Sequence, residues 1–250
     1  MQTINYSEKL QLLKFDDNTQ VKQDRIYFVI EENIIGTSGN FIALSGLPKS
    51  GKSLFISAIL SSHISKRECL TFKLFSYPEK NRIALFDTEQ SQFDFNRTVK
   101  RIKTFTGQEK IFKNFDAFMC NQESALDILR LIHAYLKNTE NVGILIIDGI
   151  LDCIDNFNDE GASKRLTRLL KKWASRFDCL IITVMHTSKQ SGHTLGHYGS
   201  ASDRYAQSTL NIEKSKEGSF ICTPKYLRSA KDFEKIEIIY SEKLKTFVNV

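Results

Sequence analysis

Gly46-Leu47-Pro48-Lys49-Ser50-Gly51-Lys52-Ser53 stands between the apolar run Phe41-Ile42-Ala43-Leu44 and the helix-forming stretch Leu54-Phe55-Ile56-Ser57-Ala58-Ile59-Leu60. The pattern GxxxxGK[ST] in this setting reads as a strand, a tight glycine-rich turn and a helix start. The glycines let backbone N–H groups converge and the helix start adds partial positive charge. Lys52 can then reach β- and γ-phosphates, and the Ser53 hydroxyl is placed to ligate Mg²⁺. With glycine at about 7% of residues, such a pattern arises by chance in roughly one chain per hundred of this size. The strand before it and the helix after it make chance the weaker explanation. Residues Gly46 to Leu54 are therefore read as the cradle of a nucleoside triphosphate, taken to be ATP with Mg²⁺.

With 250 residues and 41% hydrophobic content the chain can bury one substantial core, so one domain (34–250) behind a short N-terminal arm (1–33) is expected. No apolar stretch approaches the ~20 residues of a membrane span, and Met1-Gln2-Thr3-Ile4-Asn5 lacks the layout of a secretion signal. That points to a cytoplasmic protein with no membrane partner. The cysteines at 69, 120, 153, 179 and 222 form no CxxC pair, and the histidines do not fall at ligand spacing with them. Neither a disulfide scaffold nor a zinc site is indicated. Charge is uneven: residues 161–250 hold 16 Lys+Arg against 8 Asp+Glu, which leaves 19 against 21 for the first 160 out of totals of 35 and 29. A basic C-terminal third can attract nucleic-acid phosphates, although a solvated face is the plainer account of any single cluster, including Lys164, Arg165, Arg168, Lys171, Lys172 and Arg176.

Along the chain, Tyr27-Phe28-Val29-Ile30 reads as an anchor at the end of the arm. A strand follows at Arg82–Asp87, a helix with Phe95, Val99, Ile102 and Phe105 closed by Gly107, and a short apolar run from Phe115 to Cys120. Leu126, Leu129, Ile132, His133 and Leu136 mark another helix. It feeds Val142–Asp148, an apolar strand of the type buried on both faces. Leu166, Leu169, Leu170, Trp173 and Phe177 make the next helix, and Cys179–Met185 the next strand. Strands alternating with helices over 41–185 predict an α/β fold with a central, mainly parallel sheet flanked by helices. Beyond 205, the runs Thr209–Ile212, Phe220–Thr223, Ile236–Tyr240 and Thr246–Val250 predict antiparallel hairpins on one edge.

Hydrolysis needs an acid linked to Mg²⁺ and a group that orients or deprotonates water beside the γ-phosphate. Asp148 ends the most apolar strand and is the choice for the first. Gly149 follows it, where many such enzymes carry a catalytic Glu, so the base comes from elsewhere. Glu89, just past the Arg82–Asp87 strand at the carboxyl edge of the sheet, is the best candidate, with Asp87 as a nearby rival that could instead hold the turn. His186 ends its strand in the same way and is placed to sense the γ-phosphate. The segment Ser188–Ser202, glycine-rich with Lys189, His193, His197 and Tyr198, reads as a mobile loop outside the core that offers phosphate contacts and one stackable ring. Tyr27, Phe28 and Arg97 are candidate neighbours of the adenine of ATP, with no clear basis for choosing that base.

Taken together, the phosphate loop, Phe86-Asp87-Thr88-Glu89-Gln90, Asp148 without a following Glu, and Val184-Met185-His186-Thr187-Ser188-Lys189 resemble the RecA-like ATPases. Over residues 34–240 the chain is most similar to the replicative-helicase-type branch of plasmids and mobile elements, the RepA and DnaB group, and to the RecA-like proteins of mobilizable transposons. The resemblance implies a RecA-like P-loop NTPase fold and a homo-oligomer, usually a hexameric ring, with ATP between subunits and single-stranded DNA in a central channel. It implies channel loops at Asp152–Ala162 and Lys189–Ser200. It also implies a Lys and an Arg supplied by the neighbouring subunit, which match Lys225 and Arg228 in Pro224-Lys225-Tyr226-Leu227-Arg228. Their spacing is wider than the Lys-x-Arg of the bacterial helicases, which leaves open which of the two is the finger.

Two function classes follow. The first is an ATPase that couples turnover to single-stranded DNA in replication, mobilization or transposition of a mobile element, with other proteins of that element as further partners. The second is a nucleotide-gated regulatory or assembly module acting on a protein. A small-molecule kinase ranks last, since no arginine cluster over an acceptor can be identified.

Overall fold

Strands made wholly of apolar residues need cover on both faces, and in the computed structural model of the chain helices lie on either side of one large sheet. Residues 5–18, 22–65, 70–106, 113–187, 196–244 and 246–250 are described, with only the backbone of 12, 62, 64, 65 and 106. The chain opens with α1 (Tyr6–Leu13), capped by Asn5, and a hairpin of β1 (Ile26–Ile30) and β2 (Asn33–Thr37). There follow β3 (Phe41–Gly46), α2 (Lys52–Ser65), β4 (Phe72–Leu74), β5 (Arg82–Asp87), α3 (Gln92–Thr106), β6 (Phe115–Met119) and α4 (Ala125–Asn138). Then come β7 (Val142–Asp148), a 3₁₀ turn at Ile150–Cys153, α5 (Glu160–Phe177), β8 (Leu180–His186) and α6 (Gly196–Tyr205). The chain finishes in β9 (Ser208–Lys214), β10 (Phe220–Leu227), β11 (Ile236–Ser241) and β12 (Thr246–Asn249).

The large sheet has the order β12-β11-β10-β9-β3-β8-β7-β5-β6. β9, β3, β8, β7, β5 and β6 run parallel, and β10, β11 and β12 continue it antiparallel. This is the expected α/β architecture, with its C-terminal hairpins on one edge. Alternate residues divide the core: Ile42, Leu44, Ile146 and Ile182 pack with α2 and α3, while Ala43, Leu145, Ile147 and Ile181 pack with α4, α5 and α6. Because the inner strands are parallel and in register, Gly46 stands beside His186 and Asp87 beside Asp148. Four chemistry-bearing strand ends therefore share one edge.

Two stretches depart from expectation. Tyr27, Phe28 and Ile30, read as an anchor in the leading arm, are fully buried and belong to a second sheet of order β2-β1-β4. As core residues, Tyr27 and Phe28 are not available as neighbours of a base. The β1–β2 turn is Glu31-Glu32, with Glu31 forced to a left-handed φ of 53°. It lacks the Asn-Gly or Asp-Gly signal that normally announces a hairpin.

The second departure is at 196–205, where composition predicts a mobile loop and α6 is found, with Tyr198, Gly199, Ala201 and Ser202 buried. Its small residues let it lie closely on its neighbours. Tyr198 is fully buried in the core, so it offers no stacking ring. Residues 188–195, with Lys189 and His193, lie outside the described residues, as do Cys69 and Gly107. Cys120, Cys153, Cys179 and Cys222 are free and buried. No helix among the described residues is long and apolar enough to cross a membrane.

Truncating a fully buried aromatic side chain removes its transfer energy and leaves a cavity. Tyr198→Ala is therefore expected to cost about 3–5 kcal/mol of unfolding free energy in urea titration, against about 0.5 kcal/mol or less for the exposed Phe93→Ala. Equal, small effects would mean that α6 is not docked.

Candidate active site

The turn between β3 and α2 needs left-handed backbone, and it obtains it at Lys49 (φ 63°) and Gly51 (φ 88°) on either side of Ser50. A Cβ at Gly51 would also lie 2.1 Å from a ring carbon of Phe220 in β10. Only glycine fits both the angle and the neighbour. Ser50 Oγ is buried without a hydrogen-bond partner, a polar group that a phosphate oxygen would satisfy.

Lys52 is buried, and its ammonium donates to Gly46 O (3.0 Å) and Leu47 O (2.9 Å) and lies 3.0 Å from His186 Nδ1. Burial pulls its pKa down, opposed by the charges of Glu89 and Asp148. The other nitrogen of His186, Nε2, is 3.0 Å from Glu89 Oε2. The hydrogen bond from His186 is the main reason the Glu89 carboxyl sits below its ordinary pKa. Lys52, His186 and Glu89 thus form one continuous chain from phosphate loop to candidate base.

Asp148 is buried, and its pKa is pushed up to about 7, first by burial and then by the charge of Asp87; the Ser53 hydroxyl bonds to it and works in the other direction. Asp87, the rival base, is engaged elsewhere. It accepts from the N–H groups of Glu89 (3.1 Å) and Gln90 (2.8 Å) and from the Gln90 side chain, and so holds the turn that presents Glu89.

Gly149 explains the missing Glu after Asp148. Its φ is 103°, and a Cβ there would lie 2.1 Å from Thr88 Oγ1 and 2.7 Å from Glu89 Cγ. Thr88 is a residue that the sequence alone does not single out. Its N–H donates to Asp148 O (3.0 Å), and its hydroxyl lies 2.9 Å from Gly149 O and 2.8 Å from Asp152 Oδ2. Those bonds tie the end of β5 to the end of β7. The only signal available is the polar run Thr88-Glu89-Gln90 after an apolar strand.

Ser53 and Asp148, the two residues expected to hold Mg²⁺, are brought together, the Ser53 hydroxyl bonding to the Asp148 carboxyl. Among the described residues no cluster of three ligating side chains gathers. Beside Leu54 an open cavity of about 560 Å³ is floored by Phe105, Phe220 and Phe247 and rimmed by Arg97 and Arg101. Of the three candidate neighbours of the adenine, Arg97 lies here. A second cavity, of about 750 Å³, is lined by Glu89 and His186 together with Glu123, Asp152 and Asp155.

Lys225 and Arg228 are not brought to this site. β10 runs antiparallel to β9 and ends opposite Ser208, which pairs with Ile42, and the Arg228 N–H donates to Gln207 O. Arg228 is thus level with Phe41, about 17 Å down the sheet from Gly46 at ~3.3 Å per residue. No arginine side chain spans that distance.

A family described as AAA domain matches residues 7–192. Among solved structures, one described as an ATPase domain aligns with a TM-score of 0.58 over 85% of this chain and 86% of that one. Sequence identity is 14%, so this likeness is one of fold, and it agrees with the RecA-like architecture expected. No curated protein matches the chain in sequence. The AAA match ends before α6 and β9–β12.

Any side chain at 149 must displace Thr88 and take up a strained backbone angle. Gly149→Ala is expected to lose about 1–3 kcal/mol of stability and to depress ATP turnover. Denaturant titration and an ATPase assay check this. Unchanged values in both would refute the left-handed turn.

Proposed function

This chain belongs to the AAA domain family, and from that premise we propose that it binds and hydrolyses ATP with Mg²⁺ at sites completed between copies of itself, with turnover coupled to single-stranded DNA. The observation that carries the hydrolytic reading is the Lys52–His186–Glu89 chain. While His186 holds Glu89, the carboxylate is a weak base, because its pKa is depressed. A γ-phosphate drawing the Lys52 ammonium toward itself leaves His186 Nδ1 without that partner. The ring can then reorient, and Glu89 is freed to take a proton from water. The water oxygen bonds to the γ-phosphorus as its bond to the bridging oxygen breaks, giving ADP and phosphate. Bound Mg²⁺, held by Ser53 and Asp148, would neutralise charge on the β- and γ-oxygens. A neighbour's cation has room in the acid-lined cavity beside Glu89.

The DNA reading rests on the basic balance of residues 161–250. We place the protein as a ring, hexameric by resemblance, in replication or mobilization of a mobile element. Two observations favour the second reading, a regulatory module with a protein partner. The segment 152–162, read as a channel loop, carries Asp152, Asp155, Asp159 and Glu160 and no Lys or Arg, which repels DNA phosphates. Burial of Tyr198 points the same way.

The deciding experiment is steady-state hydrolysis with and without single-stranded DNA at two salt concentrations. Stimulation that fades with salt is expected, and a rate indifferent to DNA moves the regulatory reading to first place. Glu89→Gln is expected to keep ATP binding and lose about 10²- to 10⁴-fold in turnover. A variant as active as the parent would remove Glu89 as the base.

A further inference from the structure

One face of α3 carries Arg97, Lys100, Arg101 and Thr104, the i, i+3, i+4 and i+7 positions of a helix. Like charges four residues apart on a helix repel, so this face weakens the fold unless an anion sits on it. Arg97 is answered in part by Asp94 of its own helix, at 2.8 Å. Among the described residues, the side chains of Lys100 and Arg101 make no hydrogen bond or ion pair. Arg101 is half-buried, and burial, followed by the charge of Arg97, pulls its pKa down. Its guanidinium has given up part of its water without gaining a partner.

That face rims the open cavity of about 560 Å³ beside Leu54. The floor is aromatic: Phe105, Phe220 and Tyr240 gather around Phe247, with ring centroids 5.0, 6.1 and 5.6 Å from it. Lys214 adds a further ammonium 6.0 Å from the Phe220 ring. Among the described residues the lining includes no carboxylate and no amide side chain. An apolar floor under an uncompensated positive rim calls for a ligand that is apolar at its centre and anionic around it.

We propose that this cavity docks a short acidic segment of a partner protein, one that carries a large apolar side chain among its carboxylates. The apolar side chain takes the aromatic floor, and the carboxylates meet Arg101 and Lys100 at the rim in charge-assisted hydrogen bonds. A nucleobase fits less well. Its edge carries donors and acceptors that need partners once buried, and the neutral side chains of the lining offer only the hydroxyls of Thr104 and Tyr240. An apolar side chain asks for none. The chain's own Phe15-Asp16-Asp17, with Phe15 78% exposed, has part of this chemistry, but Lys14 beside it offsets one of its two acids. The cavity shares no residue with the Lys52–His186–Glu89 chain, so docking here is independent of how ATP is hydrolysed.

The test titrates the full chain into fluorescein-labelled peptides in which Phe, Trp, Leu or Ile is flanked by aspartates, read by fluorescence anisotropy with and without saturating ATP. At least one peptide is expected to bind in both conditions. Replacing its apolar residue by Ser, or introducing Arg101→Glu, should each weaken binding about tenfold or more. Lys100 is exposed, so Lys100→Glu removes a rim charge without disturbing the core and should act in the same direction. Lys137→Glu, an exposed position on α4 at the other face of the sheet, should leave binding unchanged. Binding by no peptide, or binding that Lys137→Glu weakens as much as Arg101→Glu does, overturns the proposal. Loss of the peptide on saturation with ATP also overturns it and gives the cavity to adenine. A labelled oligothymidylate that binds more tightly than every peptide, and only while Arg101 is present, gives it to nucleic acid instead. If a peptide of residues 13–18 binds more tightly than the whole panel, the occupant is a second copy of this chain and the separate partner falls.

Discussion

An ammonium buried in a protein must be surrounded by acceptors, and the Lys52 side chain sets that demand at the centre of this molecule. Two carbonyls of its own loop and one imidazole nitrogen meet it. The carbonyls are available only because Gly51 and Lys49 take left-handed backbone, and the imidazole only because β8 lies beside β3 with His186 level with Gly46. Parallel pairing of the two strands is therefore a precondition of the site. A one-residue slip would turn His186 to the other face and leave the lysine short of a partner.

The same edge carries three carboxylates with separate fates. Asp87 is consumed by the turn, Asp148 is buried until its pKa stands about 7, and Glu89 is held ionised by His186. Burial and hydrogen bonding push the latter two apart, which is how neighbouring acids acquire different roles. Thr88 and Gly149 keep them there. Glycine at 149 is required by both angle and space, and that excludes the one position where a second acid is often found.

Much of this was legible. Strand order along the chain, the phosphate loop, Asp148 and the C-terminal hairpins all announce themselves through apolar runs bounded by polar residues, because burial on both faces leaves no other composition. What was not legible depends on tertiary contact. The β1–β2 hairpin turns on two glutamates with no local preference for it. β4 has three residues, too few for a period to show. α6 is built largely from Gly, Ser, Ala and Tyr, mostly poor helix formers whose smallness serves close packing, so composition pointed to a loop. Thr88 was invisible for a related reason, since its hydroxyl matters only once β5 and β7 lie side by side.

The late strands then acquire a reason beyond edge protection. β10 touches the phosphate loop at its start, where Phe220 fills the space over Gly51, and ends at Arg228 on the opposite edge. β10 is paired on both sides over Phe220–Cys222 and by β9 alone from Thr223 to Leu227. Its first residues are therefore the part held tightly against the nucleotide loop, and its far end is too distant to touch that loop. The bulge at Lys225 is the one interruption in that ladder, and α6 covers it with the Asp203 ion pair. The ion pair thus supplies, beside the bulge, a tie to α6 where β10 has lost its second ladder.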